Sequence, residues 1–189
     1  MGPAAEADML QILDELRAKY PVRHTFVCGG SMGGSSALSF AVLHPGRVAG
    51  AVALNGTANH VEYTGFQDAI ARAFGGTKEE VPEEYRRRSA ELWPNRLTMP
   101  LAATVGGRDT VVPPESVRRL FAELKRRGRP VLLIDRPNGG HWSSYEDTLA
   151  AIRFVVEEVR GRARRPAASR AATASPSGEQ SGGSSATAN

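Results

Sequence analysis

Cysteine is all but missing: Cys28 is the only one in 189 residues. No disulfide can therefore form within the chain, and nothing in its cysteine usage constrains the redox compartment. At the end of an apolar run, Cys28 is expected to be a small buried apolar residue rather than a reactive thiol. Long hydrophobic runs are missing too. No stretch approaches the ~18 apolar residues of a membrane span, and acids interrupt residues 1–15, where a leader peptide would be apolar. These absences lead us to expect a cytoplasmic chain without membrane association. Metal-ligand spacing is also lacking, since His24, His44, His60 and His141 form no cluster with cysteine or carboxylates. Neither a metal nor a cofactor is expected.

Basic charge is in surplus, but only at one end. The net charge of +4 comes from Arg160 onward, where five arginines face the single acid Glu179, leaving 19 basic and 19 acidic residues in 1–159. No aromatic residue follows Phe154, so the Arg-rich stretch has nothing on which to stack bases. It reads as a solvated tail, and no nucleic-acid partner is expected. Its Ala, Ser, Gly and Arg composition cannot bury enough apolar surface to offset the entropy of ordering. The expected organisation is one domain over residues 1–160 and a disordered tail over 161–189.

What the first 160 residues do contain is strand alternating with helix. Residues 4–20 place Met9, Leu10, Leu13, Leu16 and Tyr20 at helical spacing before Pro21. Strands are expected over 24–28, 48–54, 101–105 and 131–134. Helices are expected over 33–44, over "PPESVRRLFAELKRRG" with Gly128 past its end, and over 145–159. The Thr77–Glu80 spacing suits a capping box. Such alternation predicts an α/β fold with a mainly parallel sheet flanked by helices.

One junction is unusual. Gly29-Gly30-Ser31-Met32-Gly33 follows a strand and opens a helix, which is the setting of a G-x-S-x-G turn. To lift one hydroxyl above the sheet, the backbone must turn so tightly that side chains two residues before and after would collide. Glycines at 29 and 33 would remove that collision. The helix that follows would aim its N-terminus, and the Met32 N–H, at an oxyanion. A phosphate-binding loop would need a nearby lysine, and a dinucleotide fingerprint would need glycine in place of Ser31.

A serine nucleophile requires a base, and the base requires a carboxylate to fix its tautomer. Asp109 lies in "GGRDTVVPPE" after the third strand, and His141 in "RPNGGHWSS" after the fourth. Side chains at the carboxyl ends of neighbouring parallel strands converge, so Ser31, Asp109 and His141 are the expected constellation. Asp135 is a rival carboxylate, six residues before His141. His44 reads as a helix C-terminal residue, His24 as structural, and His60 as a solvated loop residue, with a pocket position as the other option.

The stretches "CGGSMGGSSALSFAVLHPGRVAGAVALNG", "MPLAATVGGRDTVVPPESVRRLFAELKRRG" and "RPNGGHW" together resemble the catalytic core of α/β-hydrolases, especially the prolyl oligopeptidase-type and related esterase branch. The resemblance covers about residues 5–160. It implies Ser31 as nucleophile, His141 as base, Asp109 as acid and Met32 as an oxyanion donor, acting on a small ester or peptide substrate. It also implies that residues 56–97 form an insertion shaping the acyl pocket, with Tyr63, Phe66 and Trp142 as walls. An acyltransferase would use the same chemistry with a different resolving nucleophile.

The family places several strands before the elbow, and a loop after one of them supplies a second oxyanion N–H. Only 30 residues precede Ser31, and "MGPAAEADMLQILDELRAKYPVR" holds no counterpart to that loop. The expectation is therefore the C-terminal part of a hydrolase, in which "HTFVC" is an apolar sheet edge open to self-association. The competing expectation is a non-catalytic remnant that binds or assembles through that edge.

Overall fold

Each short apolar run of the sequence is a strand in the computed structural model, which describes residues 1–164. β1 (Phe26–Gly30), β2 (Gly50–Leu54), β3 (Leu101–Gly106) and β4 (Val131–Arg136) form one parallel sheet in the order β1-β2-β3-β4. Gly30 pairs with Leu54, Leu54 with Thr104, and Thr104 with Ile134. The carboxyl ends of the strands are thus aligned, and the loops that leave them share one edge of the sheet. β3 is buried along its whole length, which explains why its sequence lacks the polar alternation of a one-sided strand.

Helices cover the two faces unequally. On one face α2 (Met32–Leu43) and α5 (Glu115–Arg126) bring Leu38, Phe40, Val117, Leu120 and Leu124 against Ala51, Ala53, Ala103 and Val105, with Leu13 of α1 (Pro3–Lys19) at the margin. On the other face α6 (Tyr145–Arg164) lays Ala151 and Val155 on Val52 and Ala102. A Cβ on Gly50 would come within 2.3 Å of Val155 Cγ1, so α6 rests directly on the β2 backbone. α6 packs on β2, β3 and β4 and leaves the outer end of that face open. Cys28, expected to be buried, is consequently exposed, as is Phe26 beside it.

The remaining differences from expectation are local. β1 begins at Phe26 rather than His24, and His24 is an exposed residue ahead of it. α6 continues to Arg164 instead of stopping at Val159, so the first four residues of the expected tail are helical; the rest of that tail lies outside the described residues. Residues 56–97 contain α3 (Gln67–Phe74), α4 (Pro82–Arg87) and two 3-10 turns. The capping box closes reciprocally: Thr77 N–H donates to Glu80 Oε2 at 2.8 Å, and Glu80 N–H to Thr77 Oγ1 at 3.3 Å. It secures a single turn ahead of α4 rather than a long helix. Among the described residues, no helix is long and apolar enough to cross a membrane.

A buried ion cluster ties α1 to this frame. Glu6 faces His44 Nε2 at 2.7 Å, Arg87 Nη2 at 3.2 Å and the fully buried Arg88 Nη2 at 2.7 Å. Glu84 contacts the same Arg88 Nη2 at 2.9 Å, and the guanidinium lies over the Phe74 ring at 5.4 Å. Burial alone would raise the Glu6 pKa, but Arg88, His44 and Arg87 outweigh it and hold the carboxyl below its ordinary value of 4.5. Removing one partner from a buried pair leaves an uncompensated charge. Glu6→Gln should therefore cost about 3 kcal/mol at pH 7, because Arg88 keeps only Glu84. A carboxyl with a depressed folded-state pKa stabilises above its unfolded value and loses that contribution as pH falls through the folded one. In urea unfolding, the gap between wild type and variant should be constant above about pH 5.5 and narrow progressively below 4.5.

Candidate active site

The turn after β1 is strained in the manner the sequence suggested. Ser31 has φ 53° and ψ −118°, a conformation seldom taken by a residue with a side chain. A Cβ on Gly29 would lie 2.4 Å from the Gly33 carbonyl group, so only glycine fits there. The pair is not symmetric, however. A Cβ on Gly33 would meet open space, and the second tight contact belongs to Gly34, whose Cβ would fall 2.9 Å from Leu54 O. Gly56 completes the packing, since its Cβ would sit 2.4 Å from Ser35 N. Ser31 N–H donates to Leu54 O at 2.7 Å, fixing the elbow to the end of β2. Met32 opens α2, so its N–H has no acceptor within the helix; its side chain projects into solvent.

Asp109 is held before it meets any partner across the site. Its Oδ1 accepts the N–H groups of Val111 and Val112, both at 2.9 Å, which turns Oδ2 outward. The loop carrying His141 lies directly on the backbone leading to Asp109. A Cβ on Gly106 would come within 2.2 Å of Gly140 O, and one on Gly107 within 2.4 Å of Pro137 O. Arg108 N–H donates to Gly139 O at 2.8 Å. The far ends of the His141 loop are clamped by Arg136 and Asp147, at 2.5 and 3.0 Å.

These restraints bring three of the expected residues together. His141 Nδ1 lies 2.7 Å from Asp109 Oδ2, and His141 Nε2 lies 2.8 Å from Ser31 Oγ. The Asp109 side chain is 1% exposed and that of His141 24%, so the carboxylate is sealed while the imidazole edge stays accessible. With Nδ1 donating to the carboxylate, Nε2 is free to accept from the hydroxyl. Asp135 is elsewhere, in a two-bond pair with Arg118 at 2.7 and 2.9 Å.

The other histidines take no part. His44 caps α2 and pairs with Glu6. His60, expected to be solvated, is buried between Phe74 and Ser39, with Nε2 3.3 Å from Ser39 Oγ. Burial pushes its pKa down to about 3, helped by the positive charges of the N-terminus, Arg88 and Lys78. The polar look of "NGTANH" concealed this, because Thr57 bonds to Asn59 O and Ser116, and His60 to Ser89 and Ser39, inside the fold, while His60 Nδ1 is buried without a partner. Among the described residues, no group of three or more His, Cys, Asp or Glu is placed to hold a metal ion.

The three expected wall residues are dispersed. Tyr63 borders a small cavity of about 110 Å³ with Thr57, Asn59, Pro113 and Ser116. Its phenol donates to Val111 O at 3.0 Å, and its carbonyl accepts from Lys78 Nζ at 2.6 Å and Gln67 Nε2 at 2.8 Å. Burial, with the Asp109 charge nearby, raises the phenol pKa. Trp142 is exposed beside His141 on an open groove that includes Arg136, Asn138 and Asp147. Phe66 is exposed at the start of α3, at φ 51°, and lines neither space. The glycines at 106 and 107 escaped attention in the sequence, although the doublet directly before "RD" was the available signal.

Comparison with known proteins bears on the fold and the family. No curated protein matches the sequence significantly. Among solved structures the chain is similar to puromycin hydrolase, with a TM-score of 0.67 and 24% identity over 79% of this chain and 24% of that one. It is similar as well to the acylaminoacyl peptidase of Pyrococcus horikoshii, at 0.62 and 18% over 80% and 26% of the two chains. Dipeptidyl peptidase 4 of Porphyromonas gingivalis follows the same trace, at 0.59 and 18% over 70% and 19%. At these identities the likeness establishes a fold, that of the α/β-hydrolases, and the chain spans about a quarter of the length of the structures it resembles. The sequence profile of the prolyl oligopeptidase family matches residues 2–157, and the chain belongs to that family.

Proposed function

We propose that the chain carries the acyl-transfer centre of a serine hydrolase that cleaves ester or peptide bonds. The observation that carries this reading is the continuous set of bonds from Ser31 Oγ through His141 to Asp109 Oδ2. Ser31 Oγ attacks the carbonyl carbon while its proton passes to His141 Nε2, and Asp109 stabilises the imidazolium. The carbonyl oxygen takes up the negative charge opposite the Met32 N–H, at the positive end of α2. Collapse expels the alcohol or amine, which takes the proton from His141, and leaves an ester on Ser31. Water then repeats the sequence, giving the acid and restoring the hydroxyl. These steps call for side chains and backbone alone. Of the expected walls, Tyr63, fixed at both ends, and Trp142, exposed beside His141, are the aromatic surfaces we assign to the substrate, and Phe66 is not among them.

A fluorophosphonate probe tests the nucleophile. Ser31→Ala should abolish labelling while leaving the circular dichroism spectrum unchanged; labelling that persists would remove Ser31 from this role. Asp109→Asn should lower kcat on an activated aryl ester by about 10⁴-fold, the cost of the wrong imidazole tautomer, whereas Asp135→Asn should stay near wild type. A fully active Asp109→Asn would exclude that carboxylate.

A second reading rests on a different observation. Among the described residues β1 pairs with β2 alone, and Phe26 and Cys28 are exposed on it. Ile12 and Leu16 on α1, and Tyr20 directly after its end, are exposed apolar residues. Such an edge is a template for pairing with another chain, and assembly through it is the activity the chain would have were the hydrolytic one absent. Sedimentation should show concentration-dependent association, weakened by Phe26→Lys. A monomer at every concentration would eliminate this reading.

A further inference from the structure

Two non-glycine residues at the carboxyl edge of the sheet have nearly the same positive φ: Ser31 at 53° and Asn55 at 50°. The first is explained by the elbow. The second is not, because Gly56 directly after it could have carried the left-handed turn. Asparagine accepts this conformation better than most residues, but it retains a side chain, and here that side chain is buried at 5% exposure. Its contacts lead to one place. Asn55 Oδ1 accepts from Ser143 Oγ at 2.5 Å and faces Thr104 Oγ1 at 3.2 Å, and Asn55 Nδ2 donates to Gly140 O at 3.4 Å. Gly140 and Ser143 lie on either side of His141 in the chain.

The backbone of the same residue is equally placed. Asn55 N–H donates to Thr104 O at 3.0 Å, and the carbonyl just before it, Leu54 O, receives the Ser31 N–H. The Thr104 and Ser143 hydroxyls lie 2.5 Å apart. Two hydroxyl protons serve three oxygens in this triangle, and Asn55 Oδ1, which has no proton, is the terminal acceptor. One residue thus links the anchor of Ser31 to both flanks of His141.

We infer that Asn55 is a positioning residue for His141, holding the imidazole at hydrogen-bond distance from Ser31 by bracketing its loop from the β2 side. The inference rests on the hydrolase reading above for its effect on rate, but not for its effect on geometry. The glycine contacts at 106 and 107 press the loop against β3, and Asn55 supplies the restraint across from them. Proton transfer between Ser31 and His141 must occur in both directions within each cycle, so looseness in this loop is felt at every step; a displacement of about 1 Å is enough to cost ~100-fold in rate.

The test uses Asn55→Gly, which keeps the left-handed backbone and removes only the side chain. Two readouts are taken well below the melting temperature: steady-state kinetics on an activated aryl ester, and the low-field proton NMR signal of His141 Nδ1–H, assigned by its loss in His141→Gln. The expected result is kcat lower by about 10- to 100-fold with KM changed less than twofold, and a low-field signal that broadens or disappears. Ser143→Ala should give a smaller loss, and the double variant should be no worse than Asn55→Gly, because Asn55→Gly already removes the bond through which Ser143 acts. An unchanged low-field signal in Asn55→Gly would overturn the inference even if the enzyme reading stands, as would additive losses in the double variant. If the signal changes as expected but the wild-type chain neither turns over ester nor takes the fluorophosphonate probe, the bracket stands and the hydrolase reading fails.

Discussion

Backbone lies against backbone at the carboxyl edge of the sheet, with no room between for a side chain. A Cβ would meet a neighbouring main chain at 2.4 Å on Gly29, 2.4 Å on Gly56, 2.2 Å on Gly106 and 2.4 Å on Gly107. These approaches fix the distances between loops that leave four different strands. The elbow is set against α2 and β2 by Gly29, Gly34 and Gly56, and the His141 loop is set against the Asp109 loop by Gly106 and Gly107. A side chain at any of these points would separate the loops by more than a hydrogen bond tolerates. The Ser31–His141–Asp109 geometry is therefore a consequence of main-chain packing before it is a matter of side-chain chemistry.

Such packing carries strain, and the strain sits where the core is best able to oppose it. Ser31 and Asn55 hold positive φ at the ends of β1 and β2, while Ala51, Val52, Ala53 and all of β3 are buried beneath them. Sparsely populated conformations persist when their surroundings over-determine them. The Glu6–Arg88 cluster lies apart from this edge and serves a different end, joining α1 to α4 and to His44 at the end of α2. Weakening that cluster lowers stability away from the hydroxyl–imidazole pair, whereas widening a glycine contact acts on that pair directly and lowers stability as well.

How much of this was legible depended on whether the signal was local. The strands, the elbow and the order Ser31, Asp109, His141 could be read because each sits in a short segment with its own pattern: an apolar run, a glycine-flanked serine, a loop acid, a loop histidine. The choice of Asp109 over Asp135 followed from topology, and the structure gives Asp135 a reason of its own in Arg118. What stayed hidden was set by partners distant in sequence. His60 looks like a loop histidine until Ser39 and Phe74 are folded around it. Cys28 ends an apolar strand like any buried cysteine, and only the position of β1 at the sheet edge exposes it. Asn55 has contacts 49 to 88 residues away, so no local pattern marks it. Gly33 satisfied the motif, yet Gly34 makes the tighter contact.

The edge position of β1 connects the two readings of the chain. Ser31 follows an edge strand of five paired residues on which Phe26 and Cys28 are exposed; β4, which leads to His141, is the other edge, but it shares with β3 the longest register in the sheet. An edge strand opens at lower free energy than a paired one. Any displacement of β1 passes through Gly29 and Gly30 straight to Ser31, and the restraints against it are the β1–β2 ladder, the Ser31–Leu54 bond and the seating of α2. A chain that pairs with the free side of β1 would raise the cost of that opening without touching substrate. If both proposals hold, partner binding at the edge and turnover at Ser31 would be coupled quantities. What stabilises the strand narrows the distribution of the distance on which proton transfer depends.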